Sequence, residues 1–390
     1  MTKIRILVML LTVVVVGVFG SVAIFYARGF RLERESQNIT ISPKGLLVVN
    51  SEPTGAQIFI DDKLTSATNS TLTVTPGEHT IVVKKEGYLD WKKVSNIGSD
   101  AVTVVNAFML PSAPSLTAFT TSGAISPSVN EDQTKIIYIV PTKESADTKS
   151  GMWLAETTNL PLGFSRDPRQ VSDMTPTDSQ IEWSPDSREI LLTTQKVTYR
   201  LNLNQFTTAK QATIVTATKD AIRAEWKTKR TDKLTAKLSA LPDQIRDVFL
   251  QKVKTVTFSP DENRILYVAS GSATIPEGLV NALPGSSTQK ETRKLTDGIS
   301  YVYDIKEDKN FEVGAKNEII YWIPNSLNLL IPQKDAISVV DYDGTNRNVI
   351  YSGNYIFPYA YPSTSTNRVL ILTNFGAEKS TPNLYWLGIK

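Results

Sequence analysis

The chain has 390 residues, of which 41% are hydrophobic, with 42 Lys and Arg against 39 Asp and Glu. This apolar content excludes wholesale disorder, and a net charge of +3 lacks the basic excess typical of nucleic-acid-binding proteins. Cysteine is absent and His79 is the single histidine, which excludes disulfides, cysteine-based metal centres and sites built from several histidines. The length predicts two or three domains.

The first segment is apolar enough to cross a membrane. Residues 6–27 form 22 uncharged positions, about 33 Å as a helix, against a hydrocarbon core of about 30 Å. Basic residues flank this stretch, namely Lys3 and Arg5 before it and Arg28, Arg31 and Arg34 after it. We predict an uncleaved transmembrane anchor over residues 1–28. We expect a cytoplasmic N-terminus and an extracytoplasmic remainder, because long domains translocate largely regardless of flanking charge.

Two other interpretations fit the same segment. Ser21-Val22-Ala23 satisfies the small-residue rule of a signal-peptide cleavage site, and a buried helix of a soluble domain has a similar composition. We favour the uncleaved anchor because residues 24–27 continue the apolar stretch beyond that site. Tyr26 also supplies an aromatic ring of the kind found at membrane interfaces.

A polar stretch over residues 29–44 predicts a juxtamembrane stalk. Between residues 45 and 110, short apolar segments alternate with turn residues, which predicts a small all-β domain. Asp61-Asp62-Lys63 forms one expected turn, and Pro76-Gly77 suits a tight hairpin.

Three motifs in this region carry a resemblance. Ser51-Glu52-Pro53-Thr54-Gly55-Ala56, Pro76-Gly77-Glu78-His79 and Gly87-Tyr88 resemble the PEGA domain, a β-sandwich-like module of bacterial and archaeal envelope proteins. The motif residues are Pro53, Gly55, Ala56, Pro76, Gly77, Gly87 and Tyr88. Thr54 stands where the namesake tetrapeptide has Glu, at a surface turn. The resemblance implies an accessory or spacer module over residues 45–110, without chemistry of its own.

A turn followed by an apolar strand recurs between residues 111 and 390. Two copies are clear, Trp183-Ser184-Pro185-Asp186 and Phe258-Ser259-Pro260-Asp261. Weaker copies are Ile125-Ser126-Pro127, Trp322-Ile323-Pro324 and Tyr361-Pro362-Ser363. Strand units that repeat at roughly 40–60 residues are typical of a β-propeller. We expect the aromatic residue to pack between blades and the Pro-Asp pair to form a turn.

These repeats resemble the TolB-type, WD-like propeller units. The resemblance implies a ring of five blades, or six if residues 114–121 build a further blade with the C-terminal strand. The predicted fold is therefore mainly β, with a PEGA-like sandwich and then a propeller behind an N-terminal transmembrane helix. The order of these parts is also similar to an envelope-protein family of small-genome bacteria.

Residues 218–254 interrupt the strand pattern. Ile222 and Trp226 lie four residues apart, as do Leu234 and Leu238, which predicts amphipathic helices inserted in the propeller. Residues 219–254 carry ten basic and five acidic side chains. In one interpretation the apolar faces pack on the propeller rim or on each other and the lysines are solvated. In the other, a basic surface faces an acidic partner, either anionic lipid headgroups or an acidic wall polymer; its residues are Lys227, Lys229, Arg230, Lys233 and Lys237.

Candidate chemistry is sparse. His79 lacks a second histidine or a cysteine, and Asp341-Tyr342-Asp343-Gly344-Thr345-Asn346 lacks the twelve-residue loop and terminal Glu of an EF-hand. Asp186 and Asp261 could act as paired carboxylates of a glycosidase, but their place in repeated turns favours a structural role. The chain has neither a Gly-x-Ser-x-Gly motif nor a phosphate-binding glycine loop. We therefore predict no catalytic residue, cofactor or metal site.

The sequence favours a membrane-anchored, non-enzymatic envelope protein that presents its propeller to a wall, surface-layer or protein partner. A polysaccharide or an envelope protein is the expected partner, and nucleic acid is not. The alternative is an envelope hydrolase, either a peptidase or a glycosidase, that uses propeller carboxylates. A structural spacer without a ligand is the third option.

The anchor makes a direct prediction. The mature protein should keep its N-terminus and need detergent for extraction, because residues 6–27 remain in the bilayer. Val14→Arg combined with Val16→Arg should release the protein from membranes, since each charge costs about 2.5–3.5 kcal/mol at the bilayer centre on insertion scales. Mass spectrometry that finds a mature start at Ile24 would contradict the anchor and favour a signal peptide.

Overall fold

A computed structural model describes residues 2–27, 31–35, 38–42, 44–99, 101–142, 149–157, 167–281, 283, 285–377 and 380–390. The chain divides into two compact units. The first comprises Met1–Met109 and Asn281–Gln289, and the second comprises Leu110–Val280 and Lys290–Lys390. Arg28 and residues 29, 30, 36, 37 and 43 of the predicted stalk lie outside the described residues.

The N-terminal apolar segment is one continuous helix, α1 (Thr2–Ala27). Within it, Ile4–Ile24 is long and apolar enough to cross a membrane, and its side chains are exposed. This length and composition suit a single membrane span and a signal sequence alike. The predicted stalk contains an antiparallel hairpin of β1 (Arg31–Glu35) and β2 (Asn38–Ser42).

The domain that follows is a sandwich of two sheets. Its strands are β3 (Gly45–Glu52), β4 (Gln57–Ile60), β5 (Lys63–Ala67), β6 (Ser70–Val74), β7 (Gly77–Lys84), β8 (Trp91–Ile97) and β9 (Val102–Phe108). One sheet has the order β6-β3-β9 and the other β5-β4-β7-β8. Alternate residues of most of these strands face inward, as Leu47 and Val49 do on β3 and Ile81 and Val83 on β7. These buried side chains form one core between the sheets.

Pro76-Gly77 does not close the hairpin that we expected from the sequence. β6 pairs with β3, whereas β7 pairs with β4 and β8, so this dipeptide links the two sheets. Gly77 has a φ of 134°, a conformation that side chains with a Cβ rarely adopt. The chain crosses here because each sheet must cover the apolar face of the other.

A distant segment completes the first unit. The Asn96 amide donates to Thr288 Oγ1 at 2.9 Å, and the Gln289 side-chain amide donates to the Val94 carbonyl. Val94 and Asn96 lie on β8, an edge strand of its sheet. Thr288 and Gln289 therefore satisfy polar backbone groups that an uncovered edge would expose.

The second unit contains five four-stranded antiparallel sheets, which we name blades 1–5. The strands preceding the helices are β10 (Leu116–Ala118), β11 (Ile125–Val129), β12 (Lys135–Val140), β13 (Gly151–Glu156), β14 (Arg169–Ser172), β15 (Ser179–Trp183), β16 (Glu189–Thr194), β17 (Thr198–Asn202) and β18 (Thr213–Ile214). The helices are α2 (Lys219–Leu238) and α3 (Asp243–Gln251).

The strands after the helices are β19 (Val253–Phe258), β20 (Arg264–Ala269), β21 (Ala273–Thr274), β22 (Lys294–Leu295), β23 (Ser300–Asp304), β24 (Lys309–Gly314), β25 (Tyr321–Trp322), β26 (Asn328–Pro332), β27 (Ile337–Asp341), β28 (Asn348–Tyr351), β29 (Ala360–Pro362), β30 (Arg368–Thr373) and β31 (Asn383–Gly388). Blade 1 is β11–β14, blade 2 is β15–β18, and blade 3 is β19-β20-β23-β24. Blade 4 is β25–β28, and blade 5 has the order β10-β31-β30-β29. β21 and β22 pair as a separate two-stranded ribbon.

The described residues form five blades rather than six. Residues 114–121 contain β10, which pairs with β31 as the fourth strand of blade 5, with Leu116 opposite Leu387. The last three strands of the chain, β29 to β31, form only three strands of blade 5, and β10 adds the fourth beside β31. The two ends of the propeller sequence thus join in one four-stranded sheet.

The blades pack through strands that are apolar on both faces. On β12, Ile137 and Ile139 pack with blade 2, whereas Ile136 and Tyr138 on the opposite face pack with blade 5. On β20, Leu266 packs with blade 4. Between blades 4 and 5, the rings of Tyr321 and Tyr361 meet edge to face with centroids 5.9 Å apart. Successive side chains of a strand point to opposite faces of the sheet, so they pack alternately against one neighbouring blade and the other.

Helices α2 and α3 join blades 2 and 3. Ile222 and Trp226 pack on Leu191, whose strand neighbours face blade 1. The side chains that pack together on the blade 3 side are Leu238, Leu241, Ile245, Phe249, Ile265, Tyr267, Tyr301 and Tyr303. The helices thus cover the face of blade 2 and the face of blade 3 that would otherwise lie next to each other. Apolar residues of the insertion therefore pack against blades 2 and 3, and those of α2 and α3 also pack against each other.

The helical pair is expected to be essential for stability. Trp226 is 3% exposed and Phe249 is 2% exposed. Truncating either residue to Ala should lower the free energy of unfolding by about 3–5 kcal/mol, measured by chemical denaturation and circular dichroism of the full-length protein. Lys227→Ala on the exposed face of α2 is the matched control and should change the free energy of unfolding by less than about 0.5 kcal/mol. Equal stability of all three variants would show that the helices are dispensable.

Candidate functional site

The two clear sequence repeats form the same turn between the first two strands of their blades. In blade 2, Ser184 Oγ donates to Asp186 Oδ1 at 2.6 Å and accepts from the Glu189 amide at 3.0 Å. In blade 3, Ser259 Oγ donates to Asp261 Oδ1 at 2.6 Å. The Arg264 amide donates to Ser259 Oγ at 2.9 Å. The serine hydroxyl therefore bonds both to the carboxylate and to the strand that leaves the turn.

The backbone of these turns explains the proline. The Ser187 amide donates to the Ser184 carbonyl at 2.9 Å, so Pro185 is the second turn residue, where its fixed φ is favourable. Pro260 has the same place in blade 3, where the Glu262 amide donates to the Ser259 carbonyl at 2.8 Å. The fourth residue is left-handed in both turns, with φ of 55° at Ser187 and 58° at Glu262.

Hydrogen bonding holds the turn carboxylates in their ionised form. The hydrogen bond from Ser184 lowers the pKa of Asp186. Burial acts to raise the pKa of Asp261, but hydrogen bonds from Ser259 and Asn263 outweigh it, and the pKa is lowered. The general acid of a glycosidase needs a raised pKa, so the lowered pKa of these two carboxylates disfavours that role for either of them.

The weaker repeats match this turn in blade 4 but not in blade 1. The blade 1 turn is closed by the Gln133 amide, which donates to the Asn130 carbonyl at 3.1 Å. Ser126 and Pro127, the predicted turn residues of that copy, instead lie within β11. In blade 4, the Ser326 amide donates to the Ile323 carbonyl at 3.1 Å, so Pro324 occupies the expected position.

The repeat aromatics lie at blade interfaces in two copies. Trp183 Nε1 donates to Ser128 Oγ of blade 1 at 3.0 Å, and Trp322 Nε1 donates to the Thr257 carbonyl of blade 3 at 3.1 Å. Phe258 is only half-buried, and Lys237 Nζ lies 5.2 Å from its ring centroid. The difference follows from the helical insertion, which takes the place of a preceding blade beside Phe258.

Arg264 is a structural residue that sequence reasoning missed. Its Nε lies 2.8 Å from Asp304 Oδ2 within blade 3, and its guanidinium lies 3.9 Å from the centroid of the Tyr342 ring of blade 4. Nη1 also donates to the Ser326 carbonyl at 3.2 Å. Arg264 follows the Ser-Pro-Asp turn at a fixed distance, but the sequence does not show that its partners lie some 40–80 residues away.

The PEGA-like motif residues surround Thr68. The Gly55 amide donates to the Thr68 carbonyl at 3.0 Å, and the Ala56 amide donates to Thr68 Oγ1 at 2.9 Å. Gly55 has a φ of 75°, which glycine adopts without strain. Lys85 Nζ donates to the Thr54 carbonyl at 2.8 Å and ties the tetrapeptide to the end of β7.

The remaining motif residues lie at turns of the same domain. Pro53 follows β3, and its carbonyl accepts from Ser51 Oγ at 2.6 Å. Gly87 has a φ of 80°, and the Tyr88 amide donates to the Lys85 carbonyl at 3.1 Å. Tyr88 packs against the core of the sandwich. These residues shape loops, and the structure brings none of them into a catalytic arrangement among the described residues.

The predicted basic surface on α2 is largely neutralised within the molecule. Lys229 Nζ lies 2.7 Å from Glu225 Oε1. Arg230 binds Glu131 and the Trp183 carbonyl, and Lys237 pairs with Glu262. Lys227 and Lys233 are exposed, and no ion pair forms on them among the described residues. The insertion therefore presents fewer solvent-facing charges than its composition suggests.

The acidic turn at residues 341–346 satisfies its own carboxylates. Asp341 Oδ1 accepts from Asn328 Nδ2 at 2.7 Å, and its Oδ2 accepts from Asn346 Nδ2 at 2.9 Å. Asp343 Oδ1 accepts from Thr345 Oγ1 at 2.6 Å. Over the described part of the chain, His, Asp and Glu side chains do not gather in groups of three or more suited to a metal ion.

Comparison with known families identifies the first β domain. Residues 44–111 match the PEGA domain. This part of the chain is therefore similar to the PEGA domain. The match confirms the resemblance carried by the tetrapeptide and the two later motifs, with Thr54 in place of Glu. A comparison with curated protein sequences gives no match.

Comparison with solved structures gives neighbours of low sequence identity. TolB from Acinetobacter baumannii is 12% identical, with 80% of this chain and 61% of that one covered and a TM-score of 0.20. The chain thus spans less than two thirds of TolB. The β-propeller domain of the Trilobed protease from Pyrococcus furiosus, described as having an open velcro topology, is 12% identical, with coverages of 88% and 82% and a TM-score of 0.19. The AfRom2 CNH domain is 10% identical, with coverages of 70% and 98% and a TM-score of 0.30.

The two repeat aromatics should differ in their contribution to stability. Trp183 is 6% exposed and bonds across the blade interface, so Trp183→Ala should lower the free energy of unfolding by about 3–5 kcal/mol. Phe258→Ala should lower the free energy of unfolding by a smaller amount, because the ring of Phe258 is half-buried. Denaturant titration of the full-length variants measures both values. If Trp183→Ala costs no more than Phe258→Ala, the interface assignment is wrong.

Proposed function

We propose that this protein is a membrane-anchored, extracytoplasmic binding or scaffolding protein of the cell envelope. The order of its parts supports this role. An apolar helix suited to a membrane precedes a PEGA domain and a five-bladed propeller in one chain. The helix would hold the protein at the cell membrane with the N-terminus inside. The propeller would then face a wall, surface-layer or protein partner.

The hydrogen bonds within the repeat turns support our proposal that the protein is not an enzyme. Asp186 and Asp261 are the carboxylates that the sequence raised as a conceivable glycosidase pair. Each accepts a hydrogen bond at 2.6 Å from the serine of its own turn, and each has a lowered pKa. A general acid for hydrolysis must hold a proton near neutral pH, which a lowered pKa disfavours. Both groups serve the turn instead.

The exposed lysines of α2 define the surface that we assign to partner binding. Lys227 and Lys233 remain available after Lys229, Arg230 and Lys237 have paired within the molecule. Their charge would favour an acidic partner, such as an anionic wall polymer. The two lysines should contribute modestly to the binding affinity, because exposed charges are screened beyond about 10 Å at 0.1 M salt.

Binding by the intact protein tests this proposal. The full-length chain in detergent would be immobilised and exposed to solubilised envelope and to purified anionic wall polymer, at low and at high salt. We expect retention that weakens in high salt and falls in the Lys227→Glu, Lys233→Glu double variant. Lys210→Glu, an exposed lysine elsewhere on blade 2, is the matched charge control and should bind like the parent.

Three results would contradict parts of this proposal. Retention no greater than on a bare detergent matrix would reject a binding role. Equal retention of the double variant and the control would show that α2 does not contact the partner. Hydrolysis of peptidase or glycosidase substrates that disappears in Asp186→Asn and Asp261→Asn variants would establish an enzyme.

A further inference from the structure

Two loops of the second unit meet beside blade 5. Residues 352–359 connect blade 4 to blade 5, and residues 374–382 connect β30 to β31. At the end of β30, Thr373 Oγ1 donates to the Asn354 carbonyl at 2.5 Å. The first loop and the beginning of the second therefore lie side by side. We name residues 352–359 and 374–377 the loop surface.

Phe375 presents a large ring from a backbone conformation that bulky residues seldom adopt. Its φ is 52°, and it is 54% exposed. Among the described residues, every other non-glycine residue with a left-handed φ is polar. Hydrogen bonds fix this conformation, since the Phe375 amide donates to Thr373 Oγ1 at 2.9 Å and the Gly376 amide donates to Asn374 Oδ1 at 3.1 Å. The ring meets that of Tyr385 edge to face, with centroids 4.8 Å apart. Backbone strain held in this way is typical of functional sites.

Asn354 places a polar group beside this ring. Its carbonyl accepts from Thr373 Oγ1 and from the Tyr351 hydroxyl, the latter at 3.4 Å. Its exposed side-chain amide makes no hydrogen bond within the described part of the chain. A Cβ on Gly376 would lie 2.5 Å from Asn354 Nδ2, so the glycine next to Phe375 leaves room for the amide. Two N–H donors and an acceptor oxygen are thus available to a ligand.

A second exposed ring belongs to the same loop as Asn354. The Tyr359 amide donates to the Ile356 carbonyl at 3.0 Å, so Phe357 is the first of the two central residues of a turn. Phe357 is 44% exposed. The loop surface carries no charged side chain. It therefore offers apolar rings and a neutral amide, and it lacks the charge that would attract an ionic partner.

We propose that the loop surface binds an uncharged saccharide chain. A sugar ring has an apolar face of C–H groups and an edge of hydroxyl groups. The C–H hydrogens are attracted to the negative face of an aromatic ring, as Phe375 provides. A side-chain amide donates to one hydroxyl and accepts from another, as Asn354 provides. Phe357 adds the further apolar contact that a chain of several sugars needs. The proposal goes beyond the charge-based binding assigned to α2 and does not rest on it.

Binding of defined oligosaccharides by the full-length protein tests the proposal. The probes are the β-1,4-linked hexamers of glucose and of N-acetylglucosamine, in a detergent without a sugar headgroup. Saturation-transfer NMR detects binding, and titration gives Kd. We expect the parent to bind at least one hexamer. Phe375→Gly should raise Kd about 10-fold, and Asn354→Ala about 3- to 10-fold. Added salt should not change Kd, because the contact contains no ion pair.

The stability of the variants separates a binding ring from a packing ring. Glycine adopts a left-handed φ without strain, so Phe375→Gly should leave the midpoint of thermal unfolding unchanged or raise it while binding is lost. A lower midpoint in this variant would assign the ring to packing and overturn its role in binding. Phe375→Trp keeps an aromatic face and should keep the affinity. Phe206→Ala is the matched control, since Phe206 is a 50% exposed ring between β17 and β18, and this variant should bind like the parent.

The remaining outcomes are also decisive. If the parent shows no saturation transfer to either hexamer, the surface does not bind saccharides. An unchanged Kd in Phe375→Gly would place the sugar elsewhere and overturn the proposal, as would an envelope protein that the parent captures and Phe375→Gly does not. The Lys227→Glu, Lys233→Glu double variant should bind the hexamers normally, and Phe375→Gly should be retained normally on anionic wall polymer. Failure of one proposal is thereby distinguished from failure of the other.

Discussion

The structure depends on one constraint, namely that most strands of the propeller are apolar on both faces and need cover on both sides. Strand β20 shows it plainly. Ile265 and Tyr267 face α3, while Leu266 faces blade 4. A sheet with two apolar faces is stable only when each face excludes water. Packing of one blade against the next supplies that cover for four pairs of neighbouring blades. Between blades 2 and 3, the helical pair supplies it instead.

The same constraint explains how polar groups are distributed. Turns between strands leave amides and carbonyls that cannot pair within a sheet, and serine and aspartate side chains satisfy them. Ser184 and Ser259 each bond to the carboxylate two residues later and to the strand that follows. In the PEGA domain, Thr68 binds the amide of Ala56 in a comparable way. Residues that resemble catalytic groups in the sequence are therefore used to build turns.

Charge follows from packing as well. The helical insertion is the most basic part of the chain, yet Arg230 bonds to the Trp183 carbonyl and to Glu131 and thereby links α2 to blades 1 and 2. Lys237 lies beside the ring of Phe258 and pairs with Glu262 of blade 3. These side chains stabilise the position of a helix that would otherwise contact the sheets through one apolar stripe. The net charge of a segment thus overstates the charge that it offers to a partner.

The sequence alone determined the features that depend on local chemistry. A 22-residue apolar stretch specifies a helix able to span a bilayer, the Pro-Thr-Gly-Ala motif and its companions specify a PEGA domain, and the Ser-Pro-Asp turns specify repeated blades. Tertiary structure decided the rest. It placed β10 beside β31 to give five blades, made Pro76-Gly77 a link between sheets, and set the helices against blades 2 and 3. These outcomes depend on which distant surfaces meet. A local pattern shows that an apolar face must be covered, but only the folded chain selects what covers it.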